Sequence, residues 1–161
     1  ILSQIKSSRS NLVINPNLQK NINLKECLES VAENVSLTID SSKNINIHTE
    51  FENDVFATYD PVLLGRAIQN LWINATEACN ENIKLTLQKQ NNGKSRITVS
   101  DDGSGLCPID VSKYLQGRGK STKSDREGIG LSSANHIVRL HGGKIIYNES
   151  TLGGASFEIS F

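Results

Sequence analysis

Residues 60–82, DPVLLGRAIQNLWINATEACNEN, constrain the fold more than any other stretch of the chain. Asp60 reads as an N-cap and Pro61 as the first helical residue, where its missing N–H costs nothing. Leu64, Ala67, Ile68, Leu71, Ala75 and Ala78 recur at helical spacing as one apolar stripe, so this helix lies against a core. Asn70, Asn74 and Glu77 stand at i, i+4 and i+7 and stack on a different face. Asparagine is a middling helix former, so two inside a well-patterned helix call for a purpose. The residues alone leave two purposes open. One is a solvated polar face; the other is a column of amide and carboxylate oxygens that holds a hard cation and its phosphate ligands.

Strand and helix periodicities alternate on either side. Residues 18–23 read as a short strand and 24 to about 40 as a helix, with Leu24, Cys27, Leu28, Val31, Val35 and Ile39 on one face. Ile45, Ile47, Thr49 and Phe51 alternate with polar residues, and 55–57 gives another short strand. Residues 83–90 and 95–100 are strand-like and joined by Asn91-Asn92-Gly93, a hairpin signal. Residues 116–127 are glycine-rich, charged and nearly devoid of apolar side chains, hence a loop. Residues 128–141 read as a helix ended by Gly142-Gly143, and 144–147 and 155–161 close the chain as strands around Gly153-Gly154. The class expected is α+β: a two-layer α/β sandwich with a mostly antiparallel sheet and helices on one face.

A chain of 161 residues suits one domain with a real core. Seventeen lysines and arginines balance seventeen aspartates and glutamates, so no nucleic-acid surface is expected. No apolar run approaches a membrane span, and no direct membrane contact is expected of these residues. Cys27, Cys79 and Cys107 lie far apart, odd in number and without CxxC spacing, which argues against a disulfide framework or a zinc site and for a reducing, cytoplasmic setting. The absence of methionine marks a piece of a longer product. Residues 1–16 are expected to be an N-terminal stub and 17–161 the functional domain.

Two glycine turns carry the remaining chemistry. In Val99-Ser100-Asp101-Asp102-Gly103-Ser104-Gly105-Leu106 a strand runs into a DxGxG turn; glycine there admits positive φ and close approach of a ligand, and a carboxylate at a strand end can accept from an exocyclic amine such as adenine's. A plain strand-exit turn has the same composition. Gly128-Ile129-Gly130-Leu131 opens the later helix, where exposed N–H groups form an anion site. Lys120, Ser121, Thr122 and Lys123 bring cations and hydroxyls to the loop before it. Gly119-Lys120-Ser121 is not a P-loop, because Tyr114 stands where that motif needs glycine and no strand leads in. Gly128-x-Gly130-x-x-Ser133 lacks the strand that a dinucleotide fingerprint requires.

Taken in order, these pieces resemble the GHKL ATPase superfamily, and most closely its histidine-kinase branch. Asn70-Leu71-Trp72-Ile73-Asn74-Ala75 resembles the N box, Asp101-x-Gly103-x-Gly105 the G1 box and Gly128-x-Gly130-Leu131 the G2 box. Ile137-Val138-Arg139-Leu140-His141-Gly142-Gly143 resembles the IVxxHGG segment, and Gly153-Gly154-Ala155-Ser156-Phe157 the closing GGATF strand. The resemblance covers about residues 18–161 and implies the Bergerat fold, with ATP and Mg2+ as cofactors. It makes Asp101 the partner of the adenine amino group beside the G1 glycines Gly103 and Gly105, with Ser156 where the family has a supporting threonine. Asn74 would coordinate magnesium, and Asn70 would lie beside the phosphates. Gly128, Gly130 and Leu131 would form the phosphate cradle. Gly119-x-Ser121-Thr122-Lys123 resembles the GxSTK lid of citrate-sensor and quorum-sensor kinases, with Lys123 as first phosphate contact and Lys120 as second.

The implied activity is that of a two-component sensor histidine kinase. Mg-ATP donates its γ-phosphoryl group to a histidine on a separate dimerisation domain of the same protein, and a response regulator acts downstream. By the same resemblance residues 1–16 would be the end of a dimerisation helix, and the cytoplasmic domain would belong to a membrane-anchored parent. Two departures stand out: Glu77 where many members carry a lysine or arginine, and Tyr114 as the one aromatic candidate for the F box. His48, His136 and His141 all fall in structural settings, so the phosphoacceptor is expected outside this chain. The alternatives are another GHKL ATPase or serine kinase, or a degenerate module that only binds nucleotide or a partner.

Overall fold

The computed structural model describes residues 14–118 and 127–161, the side chains of 127–129 excepted. In chain order the elements are β1 (Gln19–Asn23), α1 (Leu24–Ser36), β2 (Asn46–Phe51), β3 (Phe56–Tyr59), α2 (Pro61–Ala78), β4 (Asn82–Lys89), β5 (Ser95–Asp101), α3 (Pro108–Leu115), α4 (Glu127–Leu140), β6 (Lys144–Glu149) and β7 (Ala155–Ser160). The main sheet runs β2-β4-β5-β7-β6, while β1 and β3 form a separate two-stranded ribbon. Every pairing is antiparallel except β2 with β4. The α+β class and the helix-on-sheet layering expected from the periodicities are therefore present. The ribbon and the parallel pair were not read from the sequence, because alternation gives a strand's faces and not its neighbours.

The inward face of the sheet is built in rows. Leu85 pairs with Val99 and Leu87 with Ile97; Ile97 and Val99 then pair with Ile159 and Phe157 of β7. All six side chains are buried, as the two-residue period requires. The helical layer covers them, with α2 in contact with α1 on one side and α4 on the other. Leu64, Ala67, Ile68, Leu71, Trp72 and Ala75 of α2 are buried together with Leu24, Leu28 and Val35 of α1 and Ala134, Ile137 and Val138 of α4. Each fully buried Leu or Ile contributes about 1.5–3 kcal/mol relative to exposure.

Both early helices stop short of the sequence expectation, for local reasons. Helix α1 ends at Ser36, not near residue 40, because Ser36 Oγ bonds the Ala32 carbonyl (2.6 Å) and Thr38 Oγ1 that of Val35 (2.7 Å), competing with the helical ladder. Helix α2 ends at Ala78, not near residue 82, because the Asp102 carboxylate takes the N–H groups of Asn80 (2.8 Å), Glu81 (3.1 Å) and Asn82 (2.9 Å). That clamp turns the chain out of the helix and into β4. Helix α3 was not expected at all. It begins at Cys107-Pro108 without a side-chain cap bond and buries only Val111, so it carries little apolar pattern.

The other end of α2 is fixed by a second network. Asp60 Oδ1 caps the helix by accepting from Val62 and Leu63 N–H, both at 3.0 Å, and Oδ2 accepts from Asn17 N–H at 2.8 Å. The Asp60 N–H donates to His141 Nε2 at 3.0 Å, and the other ring nitrogen lies 2.8 Å from the Ile137 carbonyl. A carbonyl only accepts and an N–H only donates, so His141 is the neutral Nδ1–H tautomer. It joins the start of α2 to the end of α4. Gly142 (φ +75°) and Gly143 complete that end: Gly143 N–H meets the Val138 carbonyl at 3.0 Å and Gly142 N–H that of Arg139 at 3.0 Å, a Schellman closure.

His141→Ala removes both hydrogen bonds and leaves the Asp60 N–H without its partner. It is expected to cost about 1–3 kcal/mol, read as a lower denaturation midpoint. The Asp102 clamp predicts an acid dependence. Burial pushes this carboxyl up, but donors from Asn82, Asn80 and Glu81 outweigh it and hold it at about 2, below its ordinary 3.8. A lowered folded value means stabilisation that is fully present above pH ~4 and lost as pH falls toward ~2. After solvent screening that is on the order of 1–2 kcal/mol. The stability gap between wild type and Asp102→Asn is expected to narrow over that window in thermal melts.

Candidate nucleotide site

A cleft of 280 Å³ opens between α2, the end of β5 and the chain that leads into α3. One wall is α2, through Asn74, Ala75, Glu77 and Ala78. The floor is Asp101, Ala155 and Phe157. Ser104, Gly105 and Leu106 form the facing wall, and Tyr114 of α3 and Leu131 of α4 close the side.

The floor follows from strand register. Along β5, Ser95, Ile97, Val99 and Asp101 all point inward, so Asp101 occupies the last position of an apolar row and pairs with Ile83. It is only 3% exposed. Burial raises its carboxyl above the ordinary value, with Asp102 adding to the rise; the Gly103 and Ala155 N–H groups oppose it. Both of those donors meet Oδ1, at 2.9 Å and 3.2 Å. Among the described residues no donor meets Oδ2, so the second oxygen is available at the floor of the cleft.

The glycines around this carboxylate are required by close approach more than by unusual φ. A Cβ at Gly154 would collide with Asp101 Oδ1 and the Gly103 nitrogen, and one at Gly103 would collide with the Ala78 carbonyl at the end of α2. Of the two G1 glycines only Gly105 has positive φ, +69°. Gly103 is thus a packing residue that brings β5 against α2, while Gly105 belongs to the cleft wall itself.

At the other end of the cleft, α4 faces α2 across Gly130. A Cβ at Gly130 would sit 3.9 Å from both Asn74 Oδ1 and Asn70 Cβ, so the two asparagines and the first turn of α4 share one space. Gly128 lies in that first turn. Ser156 is buried and its Oγ lies 2.9 Å from Ser100 Oγ, on the strand pair that carries Asp101.

The structure thus gathers Asn74, Asp101, Gly105 and Leu131 around one cleft and sets Asn70 and Gly130 at its edge. Gly103 and Ser156 support the floor from behind. Lys120, Ser121, Thr122 and Lys123 lie outside the described residues. Tyr114 joins the cleft from a helix the sequence did not announce, and Leu106, unmarked by any motif, forms part of the wall. Among the described residues no three His, Cys, Asp or Glu side chains cluster as a metal site. A bound cation would therefore lean on amide oxygen, phosphate and water. Asn74 in its position fits magnesium, which takes few protein ligands.

Residues 59–161 match the family described as histidine kinase-, DNA gyrase B- and HSP90-like ATPases. The chain is 33% identical over 102 residues to the sensor histidine kinase ZraS of Salmonella typhi, covering 62% of this chain and 22% of that protein. It is 30% identical over 121 residues to the sensor protein PhoQ of Escherichia coli K12, covering 74% of this chain and 24% of that one. It thus spans about a quarter of the length of these relatives. The nucleotide-free catalytic domain of histidine kinase ThkA superposes with a TM-score of 0.78 at 26% identity, covering 92% of this chain and 95% of that one. Full-length ShkA in complex with AMPPNP shares the fold, with a TM-score of 0.74 at 22% identity over 91% of this chain and 31% of that one. With 59–161 matched, well over half of its length, the chain belongs to the histidine kinase-, DNA gyrase B- and HSP90-like ATPase family.

Proposed function

We propose that this chain is the ATP-binding catalytic domain of a two-component sensor histidine kinase, binding Mg-ATP and donating the γ-phosphoryl group to a histidine on a dimerisation domain of the same protein. The observation that carries the reading is Asp101: a buried carboxylate with one oxygen fixed by two backbone donors and the other left for a ligand amine. An amine meeting Oδ2 is recognised in a low-dielectric floor, where a charged acceptor is worth more than at the surface. Asn74 supplies a neutral oxygen to magnesium without adding charge beside a triphosphate, and Asn70 lies next to the phosphates. The first turn of α4, with Gly128, Gly130 and Leu131, offers N–H groups to the same anion. Lys123, with Lys120 second, and the hydroxyls of Ser121 and Thr122 complete phosphate binding from the lid. Ser156, through Ser100, steadies the adenine end.

The domain's part in phosphoryl transfer is positioning and charge neutralisation. His141 is committed to Asp60 and Ile137, and His48 Nε2 of β2 lies 3.4 Å from Asn82 Oδ1 of β4; in this reading the acceptor histidine stands on the separate dimerisation domain. In this reading residues 1–16 are the end of the preceding dimerisation helix and 17–161 the catalytic domain. The parent is membrane-anchored with this domain on the cytoplasmic side, and a response regulator takes the phosphoryl group onward. No helix among the described residues is long and apolar enough to cross a membrane. Asparagine at position 70, where the hydrolysing branches of the superfamily carry glutamate, favours the kinase over the other branches.

Calorimetric titration with ATP, with and without magnesium, tests the assignment. Wild type is expected to bind with a magnesium-dependent gain. Asp101→Asn turns an acceptor into a donor facing the base amine and is expected to weaken ATP at least about tenfold. Asn74→Ala is expected to keep metal-free binding and lose the magnesium gain. Absence of binding at millimolar ATP would overturn the reading.

A further inference from the structure

The Ser104–Leu106 wall of the cleft has almost no hydrogen bonds of its own. Ahead of it Gly103 N–H is held by Asp101, and after it Cys107 O accepts from Asp110 and Val111 N–H at the start of α3. Between those points, among the described residues, the backbone meets a weak contact from Ser104 Oγ to the Gly105 carbonyl at 3.5 Å, and one strong partner. That partner is Tyr147, on β6. Its hydroxyl accepts from Leu106 N–H at 2.9 Å and donates to the Leu106 carbonyl at 2.8 Å. A phenol that uses both its donor and an acceptor site on one residue fixes that peptide in position and orientation.

The ring is itself held by the sheet. Tyr147 pairs with Phe157, a floor residue of the cleft, and the two rings pack with centroids 5.5 Å apart at 56°. A Cβ at Gly105 would lie 3.5 Å from the hydroxyl, so the wall passes close over it. The same loop launches α3, whose Cys107 gives no side-chain cap bond and whose Tyr114 lines the cleft.

We infer that Tyr147 is a positioning residue of the nucleotide site, its hydroxyl holding the Ser104–Leu106 wall and the start of α3 against the base. The inference rests on the nucleotide reading above. Tyr147 does not line the cleft; it acts through Leu106. The wall it fixes adjoins Asp101, whereas the phosphates are assigned to Asn70, Asn74 and α4 at the opposite end. Loss of the hydroxyl therefore weakens the part of the ligand that ATP and ADP share.

Tyr147→Phe keeps the ring against Phe157 and deletes the hydroxyl alone. With magnesium present, ATP and ADP are each expected to bind about five- to tenfold more weakly, by the same factor, so their ratio is unchanged. The Leu106 amide is expected to exchange its hydrogen faster in the ligand-free variant, with the melting midpoint nearly constant. Unchanged binding of both nucleotides, a loss confined to ATP, or a lowered melting midpoint without a binding change would each overturn the inference while wild type still binds. Wild type that binds neither nucleotide would overturn the nucleotide reading and the role of Tyr147 with it.

Discussion

The pair of hydrogen bonds from Gly103 and Ala155 N–H to Asp101 Oδ1 is the contact on which the site depends. A carboxylate at the end of an apolar row is costly to bury. Two backbone donors, one from the turn after β5 and one from the start of β7, offset that cost and decide which oxygen stays free. They also fix the strands to each other at the cleft. Because Gly154 and Gly103 approach so closely, β5, β7 and the end of α2 meet around a single side chain. The floor of the cleft and the junction of three elements are the same set of atoms.

Helix α2 is held at both ends by carboxylates from different parts of the chain. At its start Asp60 caps the first turn, receives Asn17 and is tied through its own N–H to His141, just past the end of α4. Past its end Asp102 collects the N–H groups that lead into β4. Both clamps resist sliding of this helix, which carries Asn74, against the sheet that carries Asp101. The two ends of the cleft, at Asp101 and at Asn70 and Gly130, are thus joined through α2.

Much of this was legible in the residues. The 60–82 segment carries its own cap and an apolar stripe that is buried except for Ala78, exposed at the helix end; Trp72 is buried beside it though not on the expected stripe. The inward place of Asp101 follows from the same alternation that buries Ile97 and Val99. Both glycine turns lie beside the cleft, though for Gly103 the reason glycine is needed is the Ala78 carbonyl and not positive φ. What stayed hidden depends on contacts between distant segments. The early stop of α2 is made by Asp102, twenty residues from Asn82 in sequence. The parallel β2–β4 pair and the β1–β3 ribbon leave no mark in alternation. Helix α3 is short, uncapped and buries one side chain. Tyr147 reads as an ordinary strand aromatic until its hydroxyl is seen on Leu106.

The charge of the cleft bears on how a polyanion could sit there. Its described lining carries two carboxylates, Asp101 and Glu77, and no lysine or arginine. In the proposed reading Asp101 faces the base, whereas Glu77 lies on α2 one turn from Asn74, on the side assigned to the phosphates. A carboxylate near a triphosphate is unfavourable unless a cation stands between or nearby. In the reading proposed above, the counter-charge would come from magnesium at Asn74, from the N–H groups of α4 and from Lys120 and Lys123. None of these is a permanent cation of the described cleft wall. On that reading Glu77 ties nucleotide binding to the presence of a cation, because the described wall of the cleft supplies none of its own.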